Sequence, residues 1–533
     1  MKKYILALVA TAIFSACSDK LEITPPNNIT DEQIQKLLAS GNAESIRLVM
    51  GSMANAMPQQ FNFGGNPATG AGDMYSSSQG LDVMRNLEGN DIVFSDVLGL
   101  SALWGAPEYG MDNFTSTASN KNAAYWNYAW SCINQANKML NFLTDEIVGS
   151  NTFLMNCKAR GLVVRAYGYN YLMENYQDAY LQGGKDKLGV MLYERFSPTQ
   201  TSKPRSTSAE TYAFIKADLN AAIKLLTDSN TGHTADITDI DLGVANFLLA
   251  RVSIWTGDWN TAVTASDNIL NAYPTLMNQS QYGATNTGTV KDPIYLPESN
   301  GFLNNTANPE VILGFPVGQA KTFHNLYTNP FGEGNAGVGR AYKRIDNRLY
   351  EKMAPNDYRK DNYMAEDFGN YTYPVNKTVA FIPKYTNLKF AATHGIGSTN
   401  KNEVGTVTCY YMRTSEVLLM KAEAQAQLAN EAGAKATLNK LLAARTKTGA
   451  TPLTVDTYPS MAGLTALQMV QLQTRIELWG EGGREFYNNK RWNIPVDRNS
   501  SQNHMVKVVY PVANMTLQIP ESEILYNPLA VQN

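Results

Sequence analysis

The chain has 533 residues, 44% hydrophobic and 17% charged, with a net charge of −3. Such a composition belongs to a folded globular protein rather than a disordered one, and so small a net charge exerts no electrostatic pull toward nucleic acid. The length suits one very large domain or two to four ordinary ones, and 29 Tyr beside 7 Trp supply flat faces with polar tips, as useful on sugars as in helix packing.

Lys2 and Lys3 precede an apolar run from Tyr4 to Phe14, followed by Ser15 and Ala16. A positive start, a short apolar core and small residues at a cut site form a secretory signal. The apolar run is well short of the roughly 20 residues that a membrane-spanning helix needs. Cys17, directly after Ser15-Ala16, resembles the bacterial lipoprotein box, in which that thiol is acylated and becomes the new N-terminus. The expected organisation is a signal peptide over 1–16 and a lipidated tether over 17–30. A single domain then spans 31–533, with loop-rich insertions at about 59–121 and 271–408.

Helical periodicity runs from Asp31 to Met50 through Ile34, Leu37, Leu38 and Ile46. The stretch from Gln59 to Lys121 is rich in Gly, Asn and Ser; an aperiodic segment of that length in a compact protein is often functional. Trp126, Trp130, Ile133, Asn137 and Leu140 return to helical spacing, as do Leu162, Ala166, Tyr169, Met173 and Tyr176. Another amphipathic helix is expected from about Ala209 to Leu226. Val244–Trp255 and Thr261–Leu270 flank the tight turn Thr256-Gly257-Asp258-Trp259, and Thr414–Leu428 with Ala432–Arg445 repeats the arrangement. These pairs predict a mainly α fold of antiparallel helical hairpins, and the Ala245…Ala262 fragment resembles a tetratricopeptide unit. The insertion from Asn271 to Thr408 holds one strand candidate, Val311 to Phe315, and a final helix is expected over Ala466–Gly480.

Signals for catalysis are missing from the sequence. His233, His324, His394 and His504 form no HExxH pair, and there is neither a GxSxG elbow nor a Cys–His signature. Gly332-Glu333-Gly334-Asn335-Ala336-Gly337 matches GxGxxG literally, yet no strand precedes it and no apolar helix follows, so it reads as a loop. Cys132, Cys157 and Cys409 read as buried small hydrophobes, with a Cys132–Cys157 bridge as the open alternative. Binding without chemistry, with no cofactor and no metal, is the expectation.

The block from Arg475 to Tyr487 (Arg-Ile-Glu-Leu-Trp-Gly-Glu-Gly-Gly-Arg-Glu-Phe-Tyr), with Lys490-Arg491-Trp492, resembles a signature of the SusD/RagB family of outer-membrane nutrient-binding lipoproteins. Ile519-Pro520-Glu521-Ser522-Glu523-Ile524, Asn527-Pro528 and Gln532-Asn533 resemble its closing motif. Arg413 to Ala424, Arg160…Arg165-Ala166-Tyr167 and Asn308-Pro309-Glu310-Val311-Ile312 resemble further landmarks. The resemblance implies tetratricopeptide-like helical pairs with long loops gathered on one face. It also implies a lid over a SusC-like, TonB-dependent outer-membrane transporter that imports oligomers, with glycans the commonest ligands and peptides bound by some members. Asp19 and Glu22 resemble the family's acidic surface-export signal, interrupted here by Lys20. Taken as residues alone, Arg475, Glu477, Arg484 and Glu485 are expected to make bidentate structural contacts, with Trp479 and Trp492 largely buried.

A sugar surface needs flat aromatic faces and planar polar groups on loops. The segment from Asp73 to Phe114 offers Asp73, Tyr75, Asp82, Arg85, Trp104, Tyr109, Asp112 and Asn113. The large insertion offers Phe323, Tyr327, Phe331, Arg340, Tyr342, Tyr371 and Tyr373. Trp104 leads, because Leu103-Trp104-Gly105-Ala106-Pro107 has no helical stripe to give it a core role. The resulting reading is a lipid-anchored cell-surface protein that hands oligosaccharides to a SusC-like transporter. Peptide import by the same architecture is the alternative, and a surface glycosidase is a third possibility.

Overall fold

Helix starts follow caps written in the sequence. Thr30 and Gln33 form a reciprocal capping box at the head of α1 (Asp31–Ser40), and Asn42 caps α2 (Ala43–Asn55). The computed structural model describes residues 30–62, 78–94, 109–111, 114–283, 285–289, 293–317, 343–372, 379–392 and 407–533. Further helices are α3 (Ser78–Leu87), α4 (Asn120–Leu140), α5 (Thr152–Tyr176), α6 (Ser208–Asp228), α7 (Leu242–Thr256) and α8 (Trp259–Ala272). After the insertion come α9 (Thr414–Gln427), α10 (Glu431–Ala444), α11 (Ala466–Glu477), α12 (Arg484–Trp492) and α13 (Glu521–Tyr526).

These helices stack in series. Helix α5 packs on α4 and α6, α6 on α7, α7 on α8, and α9 on both α10 and α11. Helix α8 packs directly on α9 although the insertion separates them in sequence, so the helical stack continues past it. The expected mainly α fold of hairpins is what forms. Gly257, in the left-handed conformation at φ +76°, ends α7 at the predicted turn. Trp126 belongs to the core, where it meets Tyr176 edge-on at 4.9 Å, and Trp130, half-buried, packs against that core on the same stripe.

Strands are few and short: β1 (Ile92–Phe94), β2 (Val311–Val317), β3 (Lys343–Ile345), β4 (Phe368–Thr372), β5 (Val379–Ile382), β6 (Val407–Arg413), β7 (Val496–Asp497) and β8 (Val509–Tyr510). They form two-stranded antiparallel ladders, β1 with β3, β2 with β6, β4 with β5 and β7 with β8. Helix α3 and strand β1 correct the expectation of irregular chain over 59–121. The buried face of α3 includes Arg85 and Asn86 beside Leu81, Met84 and Leu87, and polar residues on a buried face erase the apolar period that reveals a helix. Cys132 and Cys157 are separate buried thiols rather than a bridge. Burial pushes them up to about 12 and about 11 respectively, which keeps them protonated and unreactive.

Two glycines on α5 let α4 approach closely. A Cβ at Gly161 would meet side-chain atoms alone, Met139 Cε at 2.9 Å and Leu140 Cδ2 and Cγ at 3.0 and 3.1 Å. A Cβ at Gly168 would lie 2.8 Å from Ile133 Cγ1 and 2.9 Å from the Ala129 carbonyl oxygen, and that backbone atom cannot turn aside. Gly168→Ala is therefore expected to lower stability by about 1–3 kcal/mol, with Gly161→Ala milder, in urea melts of the two variants. Equal effects would place the strain elsewhere. No helix among the described residues is long and apolar enough to cross a membrane.

Candidate functional site

The C-terminal signature grips α3 and β1. Arg475 Nε donates to Asp91 at 2.9 Å, and the Trp479 indole donates to the Asp91 carbonyl at 2.9 Å. Glu485 accepts the backbone N–H groups of Asn90 and Asp91 at 2.6 and 3.0 Å, and Gly483 N–H donates to Asn86 at 3.1 Å. A Cβ at Gly89 would fall 2.0 Å from the Glu485 carboxylate, so only glycine leaves room for that contact. Arg498, wholly buried, donates to the carbonyls of Leu87 and Gly89 at 2.9 and 2.8 Å. The structural reading of Trp479 and Arg475 holds, whereas Glu485 binds backbone N–H groups and Arg484 stands 3.9 Å from Glu174 with its Nε on the Gly482 carbonyl, so neither makes the expected bidentate pair. Trp492 is half-buried with its indole on Glu423 at 2.9 Å, beside the Arg491–Glu423 ion pair.

Behind this clamp lies a buried ionic cluster. Glu477 accepts from Arg359 at 3.0 Å, from Arg413 at 2.8 Å, and from Arg445 through two bonds of 2.8 and 3.0 Å. Glu310 takes second bonds from Arg413 and Arg445 at 2.8 and 2.6 Å. Burial alone would raise the Glu477 carboxyl, but Arg445, Arg413 and Arg359 overcome it and hold the group well below the usual carboxylate range. Landmark residues from three distant stretches thus meet at the foot of β2, β6 and α11.

Those strands and helices carry the roots of the segments proposed to face a ligand. Phe94 pairs with Lys343, so residues 95 onward and residues up to 342 leave the same end of the β1–β3 ladder. Phe94 and Tyr109, at the two ends of 95–108, have ring centroids 5.8 Å apart. Val317 pairs with Val407, so 318–342 and 393–406 also begin or end side by side. Tyr411 Oη lies 3.2 Å from Asn62 Oδ1 and 3.0 Å from Ser78 Oγ, joining both ends of 63–77 to β6. The two stretches of chain singled out from sequence therefore share a base.

Asp73, Tyr75, Trp104, Asn113, Tyr327, Phe331, Arg340 and Tyr342 lie outside the described residues, as do Asp112, Phe323, Tyr373, Cys17, His324, His394 and the GxGxxG match. Arg85 and Tyr109 are described, and neither has a face to offer. Arg85 is 0% exposed, paired with Glu88, bonded to Asn175 Oδ1 at 2.5 Å and set over the rings of Tyr125 and Phe486, each at 4.4 Å. Tyr109 is 2% exposed, with its hydroxyl 2.5 Å from His504 Nδ1 and Arg498 over its ring at 4.3 Å. Both support loop roots. Among the described residues no cluster of His, Cys, Asp and Glu suits a metal ion.

Sequence reasoning missed the polar cavities beneath these roots. Two adjoining spaces of about 40 and about 50 Å³ share Asp82, Tyr410, Tyr411, Glu481 and Gly482. Asn170 Oδ1 and Tyr171 Oη, on the wall of the first, have no hydrogen-bond partner among the described residues. A drug-sized ligand needs roughly 300 Å³ or more, so these spaces admit water but not a sugar ring. Burial pushes the Asp82 carboxyl up to about 6, against the pull of Arg484 and Arg251.

A carboxyl held above its unfolded value binds its proton more tightly when folded. Its stabilising contribution is complete below about pH 4 and is lost as pH rises through 6. Asp82→Asn is therefore expected to add about 1–3 kcal/mol at pH 8 and to change little at pH 4, measured by urea melts at both. A gain of the same size at each pH would remove ionisation as the cause.

Comparison with known proteins supplies the family. The family model described as "SusD family" matches residues 267–533, half of the chain, and one described as "Starch-binding associating with outer membrane" matches 83–236. The chain belongs to the SusD family. No functionally curated protein matches it. Among solved structures, a SusD-like carbohydrate binding protein from Bacteroides vulgatus superposes with a TM-score of 0.67 at 21% identity, over 90% of this chain and 96% of that one. A SusD superfamily protein from Bacteroides thetaiotaomicron gives 0.65 at 19% identity, over 91% and 98%. A protein described as a laminarin binding SusD-like protein gives 0.60 at 19% identity, over 92% and 98%. At such identities the likeness establishes the fold.

Proposed function

We propose that this protein is a lipid-anchored cell-surface glycan-binding protein that passes oligosaccharides to a SusC-like, TonB-dependent outer-membrane transporter. The observation that carries the reading is the common base beneath 63–77, 95–108, 318–342 and 393–406, clamped by the signature of a SusD family chain. The starch-binding, outer-membrane description of the second family model and the laminarin-binding structural neighbour support a saccharide ligand. Residues 1–16 act as the export signal, acylated Cys17 holds the outer membrane, and 17–30 tethers one binding unit over 31–533.

In this reading Tyr75, Trp104, Tyr327, Phe331 and Tyr342 stack on the C–H faces of sugar rings. Asp73, Asn113 and Arg340 orient on hydroxyl groups. Arg85 and Tyr109 hold the base rigid, which lowers the ordering cost on binding. No bond is made or broken; the partner barrel encloses what the loops hold.

Calorimetry of the mature chain against a panel of α- and β-glucans and other plant and algal oligosaccharides tests this. Trp104→Ala is expected to weaken the best ligand at least tenfold, about 1.4 kcal/mol, with no change in melting temperature. Affinity indifferent to that substitution, or tight peptide binding with silence toward every glycan, would reject the assignment.

A further inference from the structure

A further cavity shares no residue with those under the loop roots. It is a half-open groove of about 590 Å³ between the ends of α5 and α6 and the closing segment of the chain, a size proper to a ligand site. Gln532 and Asn533 build one wall by bonding back to Ile519 and Leu517, so the groove is set by the fold.

Arg205 lines this groove at 7% exposure. Its guanidinium donates only to carbonyls: Gly189 at 2.7 Å, Leu188 at 2.8 Å and Val531 at 3.1 Å. Among the described residues no carboxylate pairs with it, unlike the arginines of the Glu477 cluster. A guanidinium has five N–H donors, so two remain uncommitted. Burial without a counter-ion pushes the group down to about 10, the cost of a desolvated charge that an anion would relieve. Nearby Asp178 cannot serve, because Lys187 and Thr516 already engage it.

The remaining free groups are planar and polar. Asp186 and Asn514 are exposed at the rim and Gln518 is half-buried, with no side-chain partner among the described residues. Thr207, the N-cap of α6, also lines the groove, and Glu210 already closes its capping box, so Arg205 rather than the helix end supplies the positive charge there. Leu188 and Ala513 are the apolar lining residues. The uncommitted polar side chains on that wall suit hydroxyl groups.

We propose that this groove is a second ligand site, which binds a carboxylate-bearing saccharide (a uronic-acid unit) with its carboxylate on Arg205 and its hydroxyls on Asp186, Asn514 and Gln518. The proposal takes its ligand class from the saccharide reading above but uses none of the loop residues.

Titration calorimetry of the mature chain with a galacturonic-acid trimer and with a neutral galactose trimer, at low and high salt, decides it. The acidic trimer is expected to bind at one site at least tenfold more tightly than the neutral one, and to weaken with salt. Arg205→Gln and Asn514→Trp should each reduce its affinity at least tenfold. The Asn514 side chain bonds no other side chain among the described residues, so the second variant tests the groove even if the first fails to fold. A glycan held at the loops is expected not to compete with the trimer; losing that glycan's binding sinks the loop assignment alone. Absent or salt-independent uronate binding, equal affinity for the neutral trimer, indifference to Asn514→Trp, or displacement by a peptide with a free C-terminus would overturn the groove site.

Discussion

Glu477→Ala is expected to destabilise the protein by about 3–5 kcal/mol, a large share of what a folded domain commonly has. The side chain is 0% exposed and answers three guanidiniums, from Arg359, Arg413 and Arg445. Removing it leaves positive charges facing one another out of reach of water. Glu310 still meets Arg413 and Arg445, and Asp357 still meets Arg359 at 2.6 Å, so the loss is of balance rather than of every contact. Glu477→Gln keeps the shape but not the charge, and should cost nearly as much.

The pH dependence gives an independent check. A carboxyl held below its unfolded value contributes stability that is present above about pH 4.3 and lost as pH falls through the folded value. The difference between wild type and Glu477→Ala should therefore be full at pH 7 and already smaller at pH 3, below the unfolded value. Urea melts at pH 7 and pH 3 measure both quantities. A change under about 1 kcal/mol at pH 7 would show that the cluster is dispensable.

Much of this architecture is legible in the sequence because it is local. Helices α4 to α11 announce themselves through apolar spacing, and the turn at Gly257 through its glycine. Trp126 and Trp130 sit on a stripe that leaves them one direction to point. Arg475 and Glu477 read as structural for a chemical reason, since planar ion pairs at a helix end make good clamps.

What the sequence hides depends on distant partners. Arg85 looked like a ligand contact because it lies in a polar stretch, yet the Asn175 that receives it is 90 positions away. Tyr109 is satisfied by His504, 395 positions on. No local window contains those partners, so a buried polar residue and a loop residue look alike there. The same blindness concealed α3, whose buried face is partly charged, and the β1–β3 pairing that gives the two loop-rich stretches a shared root. Arg205 was invisible for the opposite reason: its partners are carbonyls, which every residue type supplies.

Arg85→Ala separates the two roles that sequence and structure assign to that residue. As a buried support it should cost about 3–5 kcal/mol, because Glu88 keeps Lys121 at 2.9 Å but loses its second cation. Asn175 loses two bonds, and the rings of Tyr125 and Phe486 lose a desolvated cation, each such contact contributing about 1–2 kcal/mol. Gly483 packs on the Cβ of Arg85, where a Cβ of its own would stand only 2.4 Å away, and alanine keeps that contact, so the loss comes from the guanidinium. Arg85→Lys keeps the charge without the fork and should fall between the two. At a temperature where the variant is still folded, glycan affinity is expected to decline modestly, through looser roots for 63–77 and 95–108. An unchanged melting temperature with glycan binding abolished would return Arg85 to the ligand surface and take the clamp away from the signature.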